Sequence, residues 1–248
     1  MRARLRGLWR EWGSPVVFAL LFTQFGATAV RVDGISMMPA LRDGEWLAVP
    51  KVDGWAHRAG LGTYRRGDIV VFKPPRSATF EWKREYRGLI LPWPYRPFLV
   101  KRVVALPGDR VRMNRGDLFV NGRRVNQGWT LPFWAKSCLD RDSVLANSVA
   151  ASPVRQDQPE VTVPPGHFFV LGDNRSPGGS LDSRVFGPVS VQDIAGRALA
   201  SLWPLAVSEN VTPPCDGPHH LGTQTTPGSP SSWNPRLLTP PAGLDKLR

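Results

Sequence analysis

Apolar positions in this chain come first as one unbroken run and then as short alternating bursts. The opening MRARLRGLWRE carries Arg2, Arg4, Arg6 and Arg10 against the single Glu11. An uncharged stretch of 19 residues follows, Trp12 to Val30, and closes at Arg31. As a helix rising about 1.5 Å per residue it reaches roughly 28 Å, close to the ~30 Å hydrocarbon core of a bilayer. Pro15 sits in its first turn, where a missing N–H costs little. With the arginines ahead of the run, the positive-inside rule places the N-terminus in the cytoplasm and everything after Arg31 outside it. Two readings of the run stay open. It is a membrane anchor over residues 12–30, or it is a cleavable signal peptide whose small-x-small site is Ala27-Thr28-Ala29.

Beyond Arg31 the bursts read as strands. EWLAVPKV (45–52), DIVVFK (68–73), FLVKRVVAL (98–106) and HFFVLGD (167–173) are rich in Val, Ile, Leu and Phe and bounded by Gly or Pro. GDLFVNGRRV (116–125) holds Asn121-Gly122 between apolar runs and predicts a hairpin with a type I′ turn. Residues 126–163 show no sustained period and read as an irregular insertion or a small second lobe. SVQDIAGRALASLWP (190–204) predicts one helical turn followed by a strand. From about Ser208 to Arg248 the chain is mostly Pro, Gly, Ser and Thr, which predicts disorder; the pair His219-His220 lies in that tail.

Composition narrows the classes. The 248 residues are 42% hydrophobic, enough to bury a core, and 24 Gly with 25 Pro favour short strands and turns over long helices. Two cysteines, Cys138 and Cys215, exclude a disulfide scaffold, and neither Cys-x-x-Cys nor His-Glu-x-x-His occurs. The net charge of +12 suits nucleic acid, a membrane surface or solubility alone. Residues 76–97 interleave Trp82, Tyr86, Trp93 and Tyr95 with Lys83, Arg84, Arg87 and Arg96. That mixture fits a surface loop, a bilayer interface or a single-stranded nucleic acid; a domain outside the cytoplasm argues against the last.

Of the basic residues 26 are Arg and only 6 are Lys, so a lysine in an apolar setting stands out. In FLVKRVVAL, strand alternation puts Lys101 and Arg102 on opposite faces. Burying one of them is costly, and Lys can lose its proton where Arg effectively cannot, which predicts Lys101 inward and Arg102 outward. A neutral Lys101 could act as a general base, whereas an edge-strand lysine would extend to water. Ser36, in Gly34-Ile35-Ser36-Met37-Met38-Pro39, is a nucleophile candidate if a base lies beside it and a turn-capping serine if not. Ser180, Asp182 and Arg184 share one face if extended, and Asp182 and Arg184 can pair. Only His57 and His167 lie in the globular part, and no Gly-x-Ser-x-Gly elbow surrounds Ser36, so a Ser/His/Asp hydrolase is disfavoured.

Together, in this order and behind the apolar run, these stretches resemble bacterial type I signal peptidases, membrane-bound proteases of the Ser–Lys family. The similarity runs through GISMMPAL (34–41), RGDIVVFKPP (66–75), KRVVALPGDRV (101–111) and Gly172 to Gly187, and covers most of residues 31–204. Each motif is weak alone; the set is highly specific. The resemblance implies a mainly β fold, a coiled, barrel-like catalytic core with an inserted second lobe behind one N-terminal transmembrane helix. Residues 1–11 would be a cytoplasmic basic terminus, 12–30 the anchor, 31–107 and 164–207 the core, 108–163 the lobe and 208–248 a disordered tail. It implies Ser36 as nucleophile, Lys101 as general base, Ser180 as the serine orienting that lysine, and Asp182 and Arg184 as an ion pair beside the site. The Ser36 backbone N–H would serve the oxyanion. Some family members add a hydroxyl two residues before the nucleophile; Gly34 stands there, so that donor is missing. The loop from Arg175 to Ser180 is longer than the usual pattern, with Pro177-Gly178-Gly179 as the insertion.

The activity so implied is removal of signal peptides from exported preproteins after small-x-small sites, without metal or cofactor. The substrate would bind as an added strand, its small side chains in shallow pockets. Partners would be signal-peptide-bearing preproteins and the lipid bilayer, with no nucleic acid. The protein would sit in the plasma membrane with one span and its catalytic domain outside. Ala27-Thr28-Ala29 raises self-cleavage near the anchor. Two other classes stay open. A cytoplasmic self-processing Ser–Lys protease of the SOS-repressor type would lack the apolar run, and a non-enzymatic anchored β-domain would use its positive charge to bind anionic partners.

Overall fold

The computed structural model of the chain describes residues 11, 13–21, 26–86, 88–131, 157–175, 179–208, 231–233 and 235–245. Arg2, Arg4, Arg6, Arg10, Cys138, Cys215 and His219-His220 lie outside them, as do Pro177 and Gly178. Short strands dominate. The first six are β1 (Ala27–Arg31), β2 (Trp46–Pro50), β3 (Ile69–Phe72), β4 (Lys83–Tyr86), β5 (Leu89–Tyr95) and β6 (Leu99–Ala105). Then come β7 (Arg110–Asn114), β8 (Asp117–Val120), β9 (Arg123–Arg124), β10 (Gln158–Thr162), β11 (His167–Leu171) and β12 (Val189–Ser190). The last are β13 (Ile194–Arg197), β14 (Ala200–Trp203), β15 (Ala206–Ser208), β16 (Ser231–Trp233) and β17 (Arg236–Leu237). Among the described residues the α-helices are short: α1 (Ser14–Leu21), α2 (Lys51–Arg58), α3 (Ser183–Phe186) and α4 (Ala242–Asp245).

Three antiparallel sheets build the body. A five-stranded sheet has the order β12-β11-β6-β3-β13, and four-stranded sheets run β1-β2-β14-β17 and β10-β7-β8-β9. Two kinds of strand are visible in their burial. In β2, β7 and β8 alternate residues are buried, so each has one wetted face. In β3 every residue is buried, and in β6 everything from Val100 to Ala105 is. Ile69 and Val71 of β3 join Met37, Leu41, Leu47 and Val49 in one core, while Val70 and Phe72 join Tyr64, Val103, Phe168 and Ile194 in another. The strand carrying Lys101 therefore has no solvent face. The expectation that Arg102 points outward fails for that reason: Arg102 is as buried as Lys101.

The residues from 110 to 162 contribute the β10-β7-β8-β9 sheet, and Val111, Met113, Leu118 and Val120 share a core with Val104, Ala105, Phe169 and Leu171 of the central strands. The predicted hairpin is present. Asn121 and Gly122 join β8 to β9 with φ of 52° and 77°, both positive as a type I′ turn demands. Residues 190–204 also follow expectation, a 3₁₀ turn at Val191–Asp193 leading into β13 and β14.

Three expectations change. The uncharged run is not one helix to Val30, because Ala27–Arg31 pairs with β2 from Ala27↔Pro50 to Arg31↔Trp46, and Ala27-Thr28-Ala29 lies in that strand. Among the described residues no helix is long and apolar enough to cross a membrane. The tail is not wholly disordered: Arg236–Leu237 pairs with β14, and Leu244 is buried in the core against Val111 and Leu118. Its apolar residues are few, but two of them and one arginine find prepared sites. Residues 76–97 are neither a plain loop nor tucked into the core. They form the β4–β5 ribbon, which leaves Leu89, Ile90 and Trp93 at 68%, 85% and 66% exposure.

Candidate active site

Ser36 lies on a turn whose hydrophobic neighbours pin it. Met37 and Leu41 are fully buried in the core, while Ile35 is exposed. Met38 N–H donates to Ile35 O (3.1 Å) and Leu41 N–H to Met37 O (2.9 Å). The loop is closed at its base by Val32 N–H to Glu45 O (2.7 Å) and Gly44 N–H to Val32 O (2.9 Å), and Gly34 N–H donates to Asp43 Oδ1 (2.8 Å). Gly34 has φ +89°, a conformation a side chain at this position would strain. The Ser36 carbonyl accepts from Asn174 N–H (3.0 Å), tying the turn to the chain just past β11. The Ser36 N–H itself makes no hydrogen bond among the described residues.

Lys101 arrives from β6, paired across from Val70 of β3. Its Nζ lies 2.7 Å from Ser36 Oγ, across 65 residues of sequence. Only 4% of the residue is exposed. Burial pulls its pKa down from 10.5 to about 8, against the opposing pull of the Asp182 and Glu81 carboxylates. About a tenth of such an amine is neutral at pH 7, against roughly 0.04% for a free lysine.

Asp182 and Arg184 form the expected ion pair, with Arg184 Nε to Asp182 Oδ1 and Arg184 Nη2 to Oδ2 both 2.8 Å and both side chains fully buried. Asp182 also caps α3 by accepting from Arg184 N–H (3.2 Å), and accepts from Gly172 N–H (2.9 Å). Burial alone would raise the Asp182 pKa, but the guanidinium and these hydrogen bonds hold it below the usual range. Ser180 is buried beside them, and its hydroxyl donates to Asp182 Oδ2 (2.9 Å) rather than bonding Lys101. A charged acceptor outcompetes an amine for one proton. Gly172 is where these pieces meet: a Cβ there would come 2.1 Å from Ser180 Oγ and 2.6 Å from Ser36 O, so only glycine fits.

Behind Lys101 lies a second buried network. Arg102 makes a fork with Asp173, Nε to Oδ1 at 2.8 Å and Nη2 to Oδ2 at 2.6 Å, and Nη1 donates to Gly67 O (2.7 Å). Trp129 Nε1 donates to Asp173 Oδ1 (3.2 Å), and the Thr130 hydroxyl donates to the Asp173 carbonyl. Arg175 Nε donates to Gly172 O (2.8 Å), and its Nη1 donates to Gln127. Asp173 and Gly172 are the residues whose roles sequence reasoning missed. A signal was available: a central β6 must bury Arg102 as well, which requires a carboxylate elsewhere in the chain.

The two histidines among the described residues are elsewhere. His57 stacks edge-on against Tyr64 at 4.1 Å, and His167 Nδ1 contacts Pro165 O at 2.9 Å; neither bonds Ser36. Among the described residues no group of three or more His, Cys, Asp or Glu is placed to hold a metal ion. Chemically, the site offers a hydroxyl, an amine that is cheap to neutralise, a backbone N–H on the same residue as the hydroxyl, unengaged among the described residues, and rigid polar walls. That set can perform acyl transfer.

Residues 6–203 match the family described as signal peptidase, peptidase S26. The chain is 35% identical over 199 residues to signal peptidase I of Bacillus caldolyticus, covering 80% of this chain and 92% of that one. It is 33% identical over 199 residues to signal peptidase I T of Bacillus subtilis strain 168, covering 78% and 85%. With signal peptidase IB of Staphylococcus aureus strain N315 the identity is 29% over 201 residues, covering 79% and 90%. Among solved structures, a signal peptidase I from Enterococcus faecalis V583 matches with a TM-score of 0.34 and 26% identity, covering 55% of this chain and 97% of that one.

Proposed function

The chain belongs to the signal peptidase family, peptidase S26, a serine endopeptidase family that removes signal peptides, and on that premise we propose that Ser36 and Lys101 carry the reaction. The observation that supports this most is the 2.7 Å approach of a buried amine to the Ser36 hydroxyl. Neutral Lys101 takes the Ser36 proton as Oγ attacks the carbonyl after the small residue of a small-x-small segment. The oxyanion is met by the Ser36 N–H, which makes no hydrogen bond among the described residues. Collapse breaks the C–N bond, and the Lys101 ammonium protonates the leaving amine. Lys101 then takes a proton from water as that water attacks the ester, and returns it to Ser36 Oγ as the acyl C–O bond breaks. Asp182 and Arg184 keep the wall beside Lys101 rigid, and the Arg184 guanidinium offsets part of the pull of the Asp182 carboxylate toward the charged lysine.

The same reading places the chain at a membrane. The apolar run from Trp12 precedes the domain, and Leu89, Ile90 and Trp93 project from the β4–β5 ribbon beside Lys83 and Arg84. Exposed apolar and aromatic groups on a ribbon whose other strand carries Lys83, Arg84 and one acid, Glu85 opposite Ile90, match a bilayer interface of anionic lipid. Membrane-held substrates would then meet the site at high effective concentration, with the catalytic domain outside the cytoplasm.

The test is cleavage of an Ala-x-Ala peptide by the purified chain and by its Ser36→Ala and Lys101→Ala variants. Loss of at least 1,000-fold in kcat for each is expected; retained cleavage by folded Lys101→Ala refutes the base. Flotation with anionic vesicles tests the membrane reading: a chain from residue 26 should still float, and should stop when Ile90 and Trp93 are both replaced by Ser. Intact mass of Ser36→Ala against the parent tests self-cleavage after Ala29.

A further inference from the structure

Residues 236–245 pair with β14 and touch the body at several further places, three of which lead through short chains of contacts to the segments that carry Ser36 and Lys101. At the first, Arg236 Nη2 donates to Ala40 O (2.7 Å), in the turn that carries Ser36, and meets both oxygens of Glu45 at 2.9 and 3.1 Å. Glu45 is 1% exposed. Its carboxylate also accepts from Ser201 Oγ (2.7 Å) and Arg42 N–H (3.2 Å), and its carbonyl closes the Ser36 loop through Val32. At the second, Pro240 lies on Gly67 so closely that a Cβ there would come 2.5 Å from Pro240 Cβ. Gly67 O is the carbonyl that receives Arg102, the neighbour of Lys101. At the third, Gly243 packs on the Asn126 carbonyl and the Trp129 ring, and Trp129 donates to Asp173, the partner of Arg102. Leu244 then anchors the segment in the core.

The nucleophile sits on the turn between β1 and β2 and the base on β6 of another sheet, and their separation depends on how those parts are held. We propose that residues 236–245 form a strap that sets this separation, with Arg236 as its positioning residue on the Ser36 side. The proposal deepens the Ser36–Lys101 reading and rests on it. Arg236 touches no reacting atom; it holds the Ala40 end of the turn through Ala40 O and stabilises the carboxylate at the base of the same loop. A small shift of Oγ away from Nζ would slow proton transfer and so act on kcat.

The experiment uses the full chain and an Ala-x-Ala peptide, and compares Arg236→Ala, Arg236→Lys and the double variant Glu45→Gln with Arg236→Met. The double variant removes the buried charge together with its partner, which keeps the fold, yet it still lacks the bond to Ala40. For Arg236→Ala and the double variant we expect kcat to fall at least tenfold with KM within twofold of the parent. Arg236→Lys should lie between, and methylguanidinium should recover at least a third of kcat in Arg236→Ala. Should the alanine variant fail to fold, the double variant decides. A double variant with kcat within twofold of the parent, or a loss confined to KM, overturns the strap. If the parent does not cleave, or Ser36→Ala still does, the dyad reading fails instead.

Discussion

Replacing Lys101 by Met should abolish activity and stabilise the protein at neutral pH. The amine has been taken from water into a site where only 4% of the residue is exposed, and its pKa falls to about 8 because burial disfavours the ammonium. The unfolded chain binds that proton near the ordinary value of 10.5. Between the two values the unfolded state holds more protons, so stability of the parent rises with pH. The cost is fully present below about 8 and disappears above 10.5. Its size follows from the shift: about 3 kcal/mol at pH 7, falling below about 1 kcal/mol by pH 10. Methionine fills a similar volume and carries no charge, at the loss of one hydrogen bond to Ser36 worth about 1 kcal/mol. Lys101→Met should therefore be more stable than the parent by about 2 kcal/mol at pH 7, and the advantage should vanish or reverse by pH 10. Urea unfolding of both proteins at several pH values from 7 to 10 measures it. A stability difference that does not change with pH would refute the reasoning, since it would mean Lys101 titrates alike in both states.

Cleavage by the parent should rise with pH through an apparent pKa near 8, because the base must be neutral; a kcat/KM profile still climbing at pH 10 would contradict the buried amine. Arg184→Ala leaves Asp182 charged and unpaired at zero exposure, and should cost about 3–5 kcal/mol in urea unfolding; a cost under about 1 kcal/mol would show that the pair does not hold the wall. Gly172→Ala pushes a methyl group against Ser180 Oγ and Ser36 O at 2.1 and 2.6 Å. A kcat loss of roughly tenfold or more is expected from displacing the nucleophile, and unchanged kinetics would mean the turn can yield freely.

Much of the site was legible because it is written in residue types that have few other uses. A scarce lysine inside an apolar strand had to be neutralised or paired, and Lys101 was singled out on that ground. Asp182 and Arg184, two apart after a strong strand, form the pair they suggested. The Asn121-Gly122 turn follows from backbone sterics alone. Arg102 was misplaced because local alternation cannot say whether the second face of a strand is covered. That depends on β3 and β11 flanking β6 and on cores on both sides. The resemblance implies that Ser180 orients Lys101, whereas its hydroxyl donates to Asp182, a charged acceptor that the tertiary fold brings within 2.9 Å. The tail misled most. Its low apolar content predicted disorder, and what orders residues 236–245 is a buried carboxylate at Glu45 and a bare surface at Gly67, both far away in sequence.

What the sequence determined by itself is therefore the chemistry and the local geometry. It names which side chains can exchange a proton, where strands begin and turn, and which family the chain belongs to. Each of these depends on residue identity and on neighbours a few positions away. Tertiary structure alone decided that Ser36 and Lys101 stand 2.7 Å apart, that Arg102 is paired within, and that the last residues return to brace the loop of the nucleophile. Those facts depend on contacts between segments separated by 65, 71 and 196 residues. The energy of such contacts is set by packing and by removal of water, which no short stretch of sequence contains.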